Sequence, residues 1–418
     1  MPSVRDIARA RFDVVIVGGG IYGIMCALEA VRRDLRPLVL ERRKFAGATS
    51  RNSLKILHGG FRYLQSADFP RFFESVRERR WFLRHFPELA RPFPCLMPLY
   101  GEGLRRGLVL TAALALNDVL SAARNAGVMP DRRLPRGRFE SPEKVVKLFP
   151  HVDRRGLEGG AVWYDAVMAS DEELARAVLA WAESLGAVTA PAVEALHVSQ
   201  TGGAADGVVA RDAASGEELF FRAPRVINAG GPWAGAFARA SGSPHERLEA
   251  YALAWNIAVR RPPFSGHGVA LTARRRGAQT YFAVPWRNEL LIGTGYAPWR
   301  GSPDDLALAD DVLAGFLGEI NEAVPGLALQ ASDVTATFTG LLPATAPGAA
   351  TLSRRPLVID HGARGGAGGF YTLSGIKYTT ARAVADTVLS AAFPGRRRLA
   401  YEDLARDARE PIEFFPER

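Results

Sequence analysis

The stretch from Asp13 to Gly23, DVVIVGGGIYG, constrains this chain more than any other. Four β-branched residues, Val14, Val15, Ile16 and Val17, predict a short strand buried on both faces, as in a parallel sheet. Gly18, Gly20 and Gly23 follow with G-x-G-x-x-G spacing, and the next residues, IMCALEAVRR, have a helical pattern. The first glycine permits a tight turn, the second lets a pyrophosphate approach the backbone, and the third lets helix and strand pack closely. The phosphates would sit on the open amides of the helix N-terminus. The next apolar run, PLVLE, ends at Glu41, where a carboxylate can accept hydrogen bonds from a ribose diol. A glycine triplet alone is a weak signal. Strand, triplet, helix, second strand and terminal acid in register predict a βαβ unit that binds an adenine dinucleotide.

The following loop, ERRKFAGATSRNSLKILHGGFRYL, is rich in small polar and basic side chains. A nicotinamide enzyme would more often continue into another βα repeat. Here Arg42, Thr49, Ser50, Asn52, Ser53, Lys55, His58, Gly59 and Gly60 offer groups that can line a long cofactor. Near the other end, FYTLSGIKYTTARAVADTVLSAA reads as a strand, a turn at Gly375, and a helix opened by Thr379 or Thr380. Such a helix N-terminus can stabilise negative charge on the N1–C2=O edge of a reduced flavin. An ordinary capped helix would read the same way.

Together these segments resemble FAD-dependent oxidoreductases of the D-amino-acid-oxidase superfamily, and within it the flavin-dependent glycerol-3-phosphate dehydrogenases. The resemblance is carried by DVVIVGGGIYG, by TSRNSLKILHGGFRYL, by VINAGGPWA at Val226 to Ala234, and by GIKYTTAR at Gly375 to Arg382. YFAVPWRNELLIGTGY, from Tyr281 to Tyr296, adds a weaker match. The resemblance implies an α/β fold in which a Rossmann-like FAD-binding domain is interleaved with an antiparallel-sheet substrate domain. It implies FAD as cofactor, and adds Val193, Ala229, Gly230, Trp233, Gly340, Gly375, Ile376, Lys377, Tyr378 and Thr379 to the expected binding residues. No flanking context marks a histidine or cysteine for attachment, so the binding is expected to be non-covalent. Two departures stand out. ALAWNIAV puts Asn256 where the family has a histidine, and Thr339-Gly340-Leu341-Leu342-Pro343 puts Leu342 where the family has a phosphate-binding arginine. The chain also stops soon after GIKYTTAR, with a short charged tail in place of the family's extra helical domain. The flavin and the reaction type are therefore the firmer expectations, and glycerol 3-phosphate itself is not singled out.

Composition is consistent with this reading. At 418 residues and 48% hydrophobic content the chain can bury a substantial core in two domains. Two cysteines, Cys26 and Cys95, suggest no disulfide framework or metal site, and a reducing cytoplasm fits. The start, MPSVRDIARARFD, lacks the apolar core of a signal peptide. The net charge of +9 suits solvated arginine-rich helices, an anionic substrate, or peripheral contact with the acidic inner face of a membrane. RERRWFLRHF and RRGLVLTAALALNDVL alternate basic and apolar positions at helical spacing, and are expected to face the core rather than a membrane interface. No apolar run is long enough to span a bilayer, and no nucleic-acid-binding motif is present.

Residues 1–94, 158–246 and 334–418 are expected to form a discontinuous FAD-binding domain, with 95–157 and 247–333 as the substrate domain. Within them, Ser170 and Glu173 have capping-box spacing at the start of a crossover helix. TGGAADG reads as the exposed turn of a β-meander. The glycine-rich HGARGGAGGF reads as a flexible linker.

The chemistry expected is hydride transfer to flavin N5 from a carbon bearing OH or NH, with the protein orienting the substrate and handling a proton. By the resemblance, Arg62 and Tyr63 lie in the active site. An arginine can grip an oxyanion with its fork while a tyrosine hydrogen-bonds beside it. Lys377 could approach the flavin or anchor an anionic group. Arg354 could supply the charge that Leu342 lacks, and His58 is either a base or a structural histidine. Tyr281 and Tyr296 are pocket-wall candidates, or core. Asn256 cannot act as a general base. The expected function is oxidation of a secondary alcohol on a small anionic substrate such as a hydroxy acid or a phosphorylated or sugar-like polyol, with a quinone, another carrier or oxygen as electron acceptor. An amine or amino-acid oxidase of the glycine- or sarcosine-oxidase type is the second reading. A flavin-binding electron-transfer subunit with a degenerate pocket is the third.

Overall fold

The glycine turn lies at the carboxyl end of a central strand. In the computed structural model, which describes residues 3–64, 66–101, 107–275 and 277–404, Val14–Val17 sits inside a six-stranded sheet. The order is Leu357–Asp360, Phe370–Ser374, Val226–Asn228, Val14–Val17, Pro37–Glu41 and Val188–Pro191. All neighbours are parallel except the Leu357–Asp360 edge strand, which is antiparallel. The β-branched run predicts this position, since its side chains point alternately into two apolar layers. Val14 and Ile16 pack with the helices Ile21–Val31, Asp171–Ser184 and Ala381–Ala392. Val15 and Val17 pack on the other face against the small sheet of Val193–Thr201, Ala204–Asp212 and Glu218–Arg222 and the helix Ala234–Ala240. That small sheet is the expected meander, and Gly202 and Gly203 form its exposed turn.

The second sheet has nine strands. Its path runs Val334–Pro343, Tyr251–Val259, Glu289–Pro298, Thr280–Trp286, Gly268–Thr272, Ala90–Leu99, Gly159–Met168 and Ile56–Leu57, with Arg138–Glu140 pairing Gly159–Met168 beside it. One face packs on the helix Asp310–Ala323 and the other on Gly107–Leu120. This membership differs from the expected division at residues 94, 157 and 333. Ala90–Leu99 crosses the first boundary, and Ile56–Leu57, Gly159–Met168 and Val334–Pro343 come from segments expected with the nucleotide half. Pro92, Pro94 and Pro98 are tolerated inside Ala90–Leu99 because of their spacing. All three have the same parity in the ladder with Gly159–Met168, so their missing N–H groups fall on one side. On that side the Gly268–Thr272 strand pairs only at Cys95 and Leu96.

The two basic-apolar segments behave differently. RERRWFLRHF lies in the helix Phe69–His85, which buries Phe72, Val76, Trp81, Phe82 and Leu83. The second segment falls on Gly107–Leu120, which buries Leu110 and Leu114 but exposes Leu116 and Val119, so it is not wholly core-facing; Arg105 and Arg106 lie outside the described residues. Among the described residues no helix is long and apolar enough to cross a membrane, and no cluster of His, Cys, Asp and Glu is placed to hold a metal ion. HGARGGAGGF is a packed turn, not a loose linker. His361 is buried, stacks on Phe370 with ring centroids 4.2 Å apart, and its Nε2 lies 2.8 Å from Thr372 Oγ1. Cys26 and Cys95 are both fully buried free thiols, one in each sheet's core.

Candidate active site and cofactor groove

The nucleotide end is built from strand termini. Gly18 adopts φ +102°, and a Cβ on Gly23 would lie 1.9 Å from Gly18 O, so the turn admits neither with a side chain. Glu41 closes the second strand, and its Oε2 accepts from Gly19 N at 2.7 Å. Ser50 Oγ accepts from Ile21 N at 2.9 Å, meeting one open donor at the start of the Ile21–Val31 helix. Ala229 and Gly230 lie against Gly18, and Asn228 shapes their turn by accepting from Gly230 N at 3.1 Å. Across the groove, Arg42 lies over the Trp233 ring at 4.1 Å, and both side chains meet Asp304. These residues fit FAD. The cradle between the turn and the Ser50 loop would be narrowed by a Cβ on Gly20, 3.2 Å from Ser50 Oγ, and its lining of backbone amides, a hydroxyl and a carboxylate matches a diphosphate and a ribose.

The polar loop then folds back on the large sheet. Thr49 packs on Gly340, and Asn52 Nδ2 donates to Thr339 O at 2.6 Å. Asn256 is buried, donates from Nδ2 to Asn52 O at 2.8 Å and accepts from Thr294 Oγ1 at 2.9 Å. Where the family resemblance would place a histidine, this chain has a strut between loop and sheet. Three expected binding residues converge on Asp171, the first residue of the Asp171–Ser184 helix. Ser53 Oγ donates to Asp171 Oδ2 at 2.8 Å, Lys55 Nζ pairs with the same oxygen at 2.7 Å, and Tyr378 OH donates to Asp171 O at 2.8 Å. The Lys55 ammonium is buried in that pair, and Val193 and Thr379 are buried in the interior. Ile376 is half-buried in the turn after Gly375.

Three of the candidate catalytic residues, Arg62, Tyr63 and Lys377, meet from two directions. Phe61–Leu64 is a single helical turn that carries Arg62 and Tyr63. Lys377 comes from the turn after the Phe370–Ser374 strand, and its Nζ donates to Tyr63 OH while lying 4.1 Å from the Tyr63 ring centre. Burial and the nearby Arg62 guanidinium push the Lys377 ammonium down to about 8. Tyr296, beside Thr294, is pushed up by burial although Arg62 opposes the shift. Tyr281 instead joins the core and donates to Glu319 at 2.5 Å.

His58 Nδ1 lies 3.2 Å from Asp165 Oδ2, and Asp165 Oδ1 accepts from Gly59 N at 2.6 Å and from Arg79 Nη1 at 2.7 Å. Burial alone would raise the Asp165 carboxyl, but hydrogen bonding from His58 and the Arg79 charge outweigh it and hold the carboxyl at about 2. The His58 side chain is 44% exposed whereas Asp165 is 4% exposed, so a buried carboxylate holds a histidine that is open to solvent. Gly60 packs beside Tyr63 and Ser75. Arg354 is exposed, and its carbonyl accepts from Arg71 Nη1 at 3.0 Å. Arg71 also lies over the Tyr63 ring at 4.6 Å.

Sequence reasoning missed Asp165, Arg79, Arg71, Asp171, Asp304 and Tyr22. Asp165 had a usable signal, a lone acid within the apolar run GAVWYDAVM. Tyr22 had none. Its hydroxyl donates to Lys377 O at 2.8 Å and accepts from Lys377 N at 3.1 Å, and its ring lies against Gly375, where a Cβ would come within 1.7 Å. Tyr22 thus joins the nucleotide helix directly to the backbone of Lys377.

The chain matches the family described as FAD dependent oxidoreductase (DAO) over residues 13–389. It is 29% identical over 414 residues to the glycerol-3-phosphate dehydrogenase of Synechocystis, covering 96% of this chain and 73% of that protein. In structure it is similar to the glycerol-3-phosphate dehydrogenase from Bacillus halodurans complexed with FAD, with a TM-score of 0.70 and 19% identity over 98% of this chain and 67% of that one. It is also similar to the glycine oxidase from Geobacillus kaustophilus, with a TM-score of 0.63 and 19% identity over 96% of this chain and all of that one.

Proposed function

The chain belongs to the FAD dependent oxidoreductase (DAO) family, and on that premise we propose that it oxidises a secondary alcohol on a small anionic substrate, such as a polyol phosphate or a hydroxy acid. FAD is its cofactor and, when bound, supplies the hydride acceptor. The observation that carries the reading is the convergence of Arg62, Tyr63 and Lys377 from opposite ends of the sequence. In this reading the Arg62 fork binds the substrate's anionic group, while Tyr63 and the Lys377 ammonium hold the oxygen that becomes a carbonyl. His58 takes the hydroxyl proton. Its Nδ1 is held by the ionised Asp165, which leaves Nε2 as the basic nitrogen. Asn256 keeps the Asn52 loop in place and takes no part in proton transfer. The electrons then leave for a quinone, another carrier or oxygen.

A second reading, oxidation of an amine, is favoured by two observations. Asn256 and Leu342 stand where the glycerol-3-phosphate dehydrogenase resemblance expects a histidine and an arginine, and the match to a glycine oxidase runs over that protein's whole length. In that case Arg62 binds a carboxylate and the amine arrives neutral. Anaerobic mixing of the holoprotein with glycerol 3-phosphate, 2-hydroxy acids, glycine, sarcosine and proline separates the two. Bleaching of the flavin by an alcohol supports the first reading, and bleaching by amines alone would overturn it.

A further inference from the structure

The strand order places Arg42 and Trp233 on opposite sides of the glycine turn. Arg42 follows Pro37–Glu41 and Trp233 ends the short turn after Val226–Asn228, and these strands flank Val14–Val17. Neighbouring strands are about 4.8 Å apart, so the two side chains span roughly 10 Å to meet above the end of the middle strand. There the Arg42 guanidinium lies 4.1 Å from the Trp233 ring centre. The third member comes from a segment that leaves the large sheet. Asp304 lies in the segment between the Glu289–Pro298 strand and the Asp310–Ala323 helix. One of its oxygens pairs with Arg42 Nη2 and lies 3.3 Å from Arg43 Nη2, and the other accepts from Trp233 Nε1 at 3.1 Å. Asp304 N is itself tied to Ser302 Oγ at 3.2 Å. A cavity of about 220 Å³, lined by Arg42, Arg43, Glu194, Arg211 and Ala213, opens beside this cluster.

We propose that Asp304 is a positioning residue that latches Arg42 and Trp233 into an arch over the diphosphate of bound FAD, so that the cofactor enters and leaves only when the latch opens. A stacked cation and ring hold each other weakly at a surface, and a shared carboxylate that accepts from both fixes their orientation. Because the carboxylate is carried by the segment that follows a large-sheet strand, the arch closes only when that segment sits against the nucleotide half. Burial would raise the Asp304 carboxyl, but Arg42 and Trp233 outweigh it and keep the group ionised at neutral pH. The proposal rests on the cofactor and not on which substrate is oxidised.

FAD release from the full-length holoprotein, followed by the rise in free-flavin fluorescence after dilution, tests it. In the wild type the release rate should climb between about 0.05 M and about 0.5 M sodium chloride as the ion pairs are screened. Asp304→Asn should release FAD about tenfold faster at low salt, with a shallower salt dependence than the wild type. Trp233→Phe keeps the stacked ring, removes one hydrogen bond, and should fall between the two. An Asp304→Asn protein with the wild-type rate and salt slope would overturn the latch. So would one that holds FAD more tightly, because Asp304 would then be competing with the diphosphate for Arg42. Should Asp304→Asn not fold, Trp233→Phe with the wild-type rate would overturn it as well.

Discussion

Lys377 is the candidate catalytic residue whose charge is most sensitive to its surroundings near neutral pH. Its ammonium is taken down from 10.5 to about 8, first by burial and then by Arg62. The group is therefore charged below about pH 8 and increasingly neutral above it. If the ammonium holds the substrate oxygen, anaerobic flavin reduction by substrate should fall along an alkaline limb near that pH. Lys377→Arg should carry the limb beyond the accessible range, since a guanidinium does not deprotonate there. Lys377→Gln should be slower by about 10²-fold or more and lack the limb altogether. A limb that survives unchanged in the arginine variant would assign it to another group. At this scale the sequence made Arg62, Tyr63 and Lys377 legible because each lies in a distinctive local pattern. Tyr22 and Asp304 were not, since Tyr22 acts on Lys377, 355 positions away, and Asp304 on Arg42, 262 positions away.

The crossover helix Asp171–Ser184 links local stability to the cofactor groove. Ser170 caps it, with Oγ accepting from Glu173 N at 3.2 Å, and Asp171 in its first turn anchors Ser53 and Lys55. Ser170→Ala should lower stability by about 1 kcal/mol, read as a shift of the denaturant midpoint at unchanged slope. A loss near zero would mean that Asp171 and its partners hold the helix end without the cap. Elements with clean periodicity were readable: the βαβ unit ending at Glu41, the capped crossover helix, and the final strand–turn–helix at Gly375. The strand Ala90–Leu99 was hidden because its three prolines contradict the usual reading of a paired strand, and only the ladder's parity resolves the conflict.

Across the whole molecule, three helices from distant segments are tied by one arginine and two buried carboxylates. Arg382, at the start of the Ala381–Ala392 helix, reaches Glu78 on Phe69–His85 at 2.6 Å and Glu29 on Ile21–Val31 at 3.4 Å. Both carboxylates are fully buried. Arg382→Met should therefore cost about 3–5 kcal/mol of stability, because removing one partner strands the charges it faced. A thermal melt within a degree of the wild type would show that the other partners suffice, Arg32 and Arg33 at 2.7 and 3.1 Å from Glu29 and Arg77 at 3.0 Å from Glu78. The discontinuous architecture was legible from the order of the motifs. The membership of the large sheet was not, because pairings such as Ile56 with Val167 and Ala252 with Leu342 join segments with no local signature of their neighbours. The two buried cysteines turn this architecture into an assay. Burial suppresses the thiolate at both Cys26 and Cys95, so neither should react with iodoacetamide in the native protein. Cys26 is a chemical probe embedded in one lobe and Cys95 in the other, so timed alkylation with peptide mapping would reveal whether the two lobes come apart in one step or in sequence.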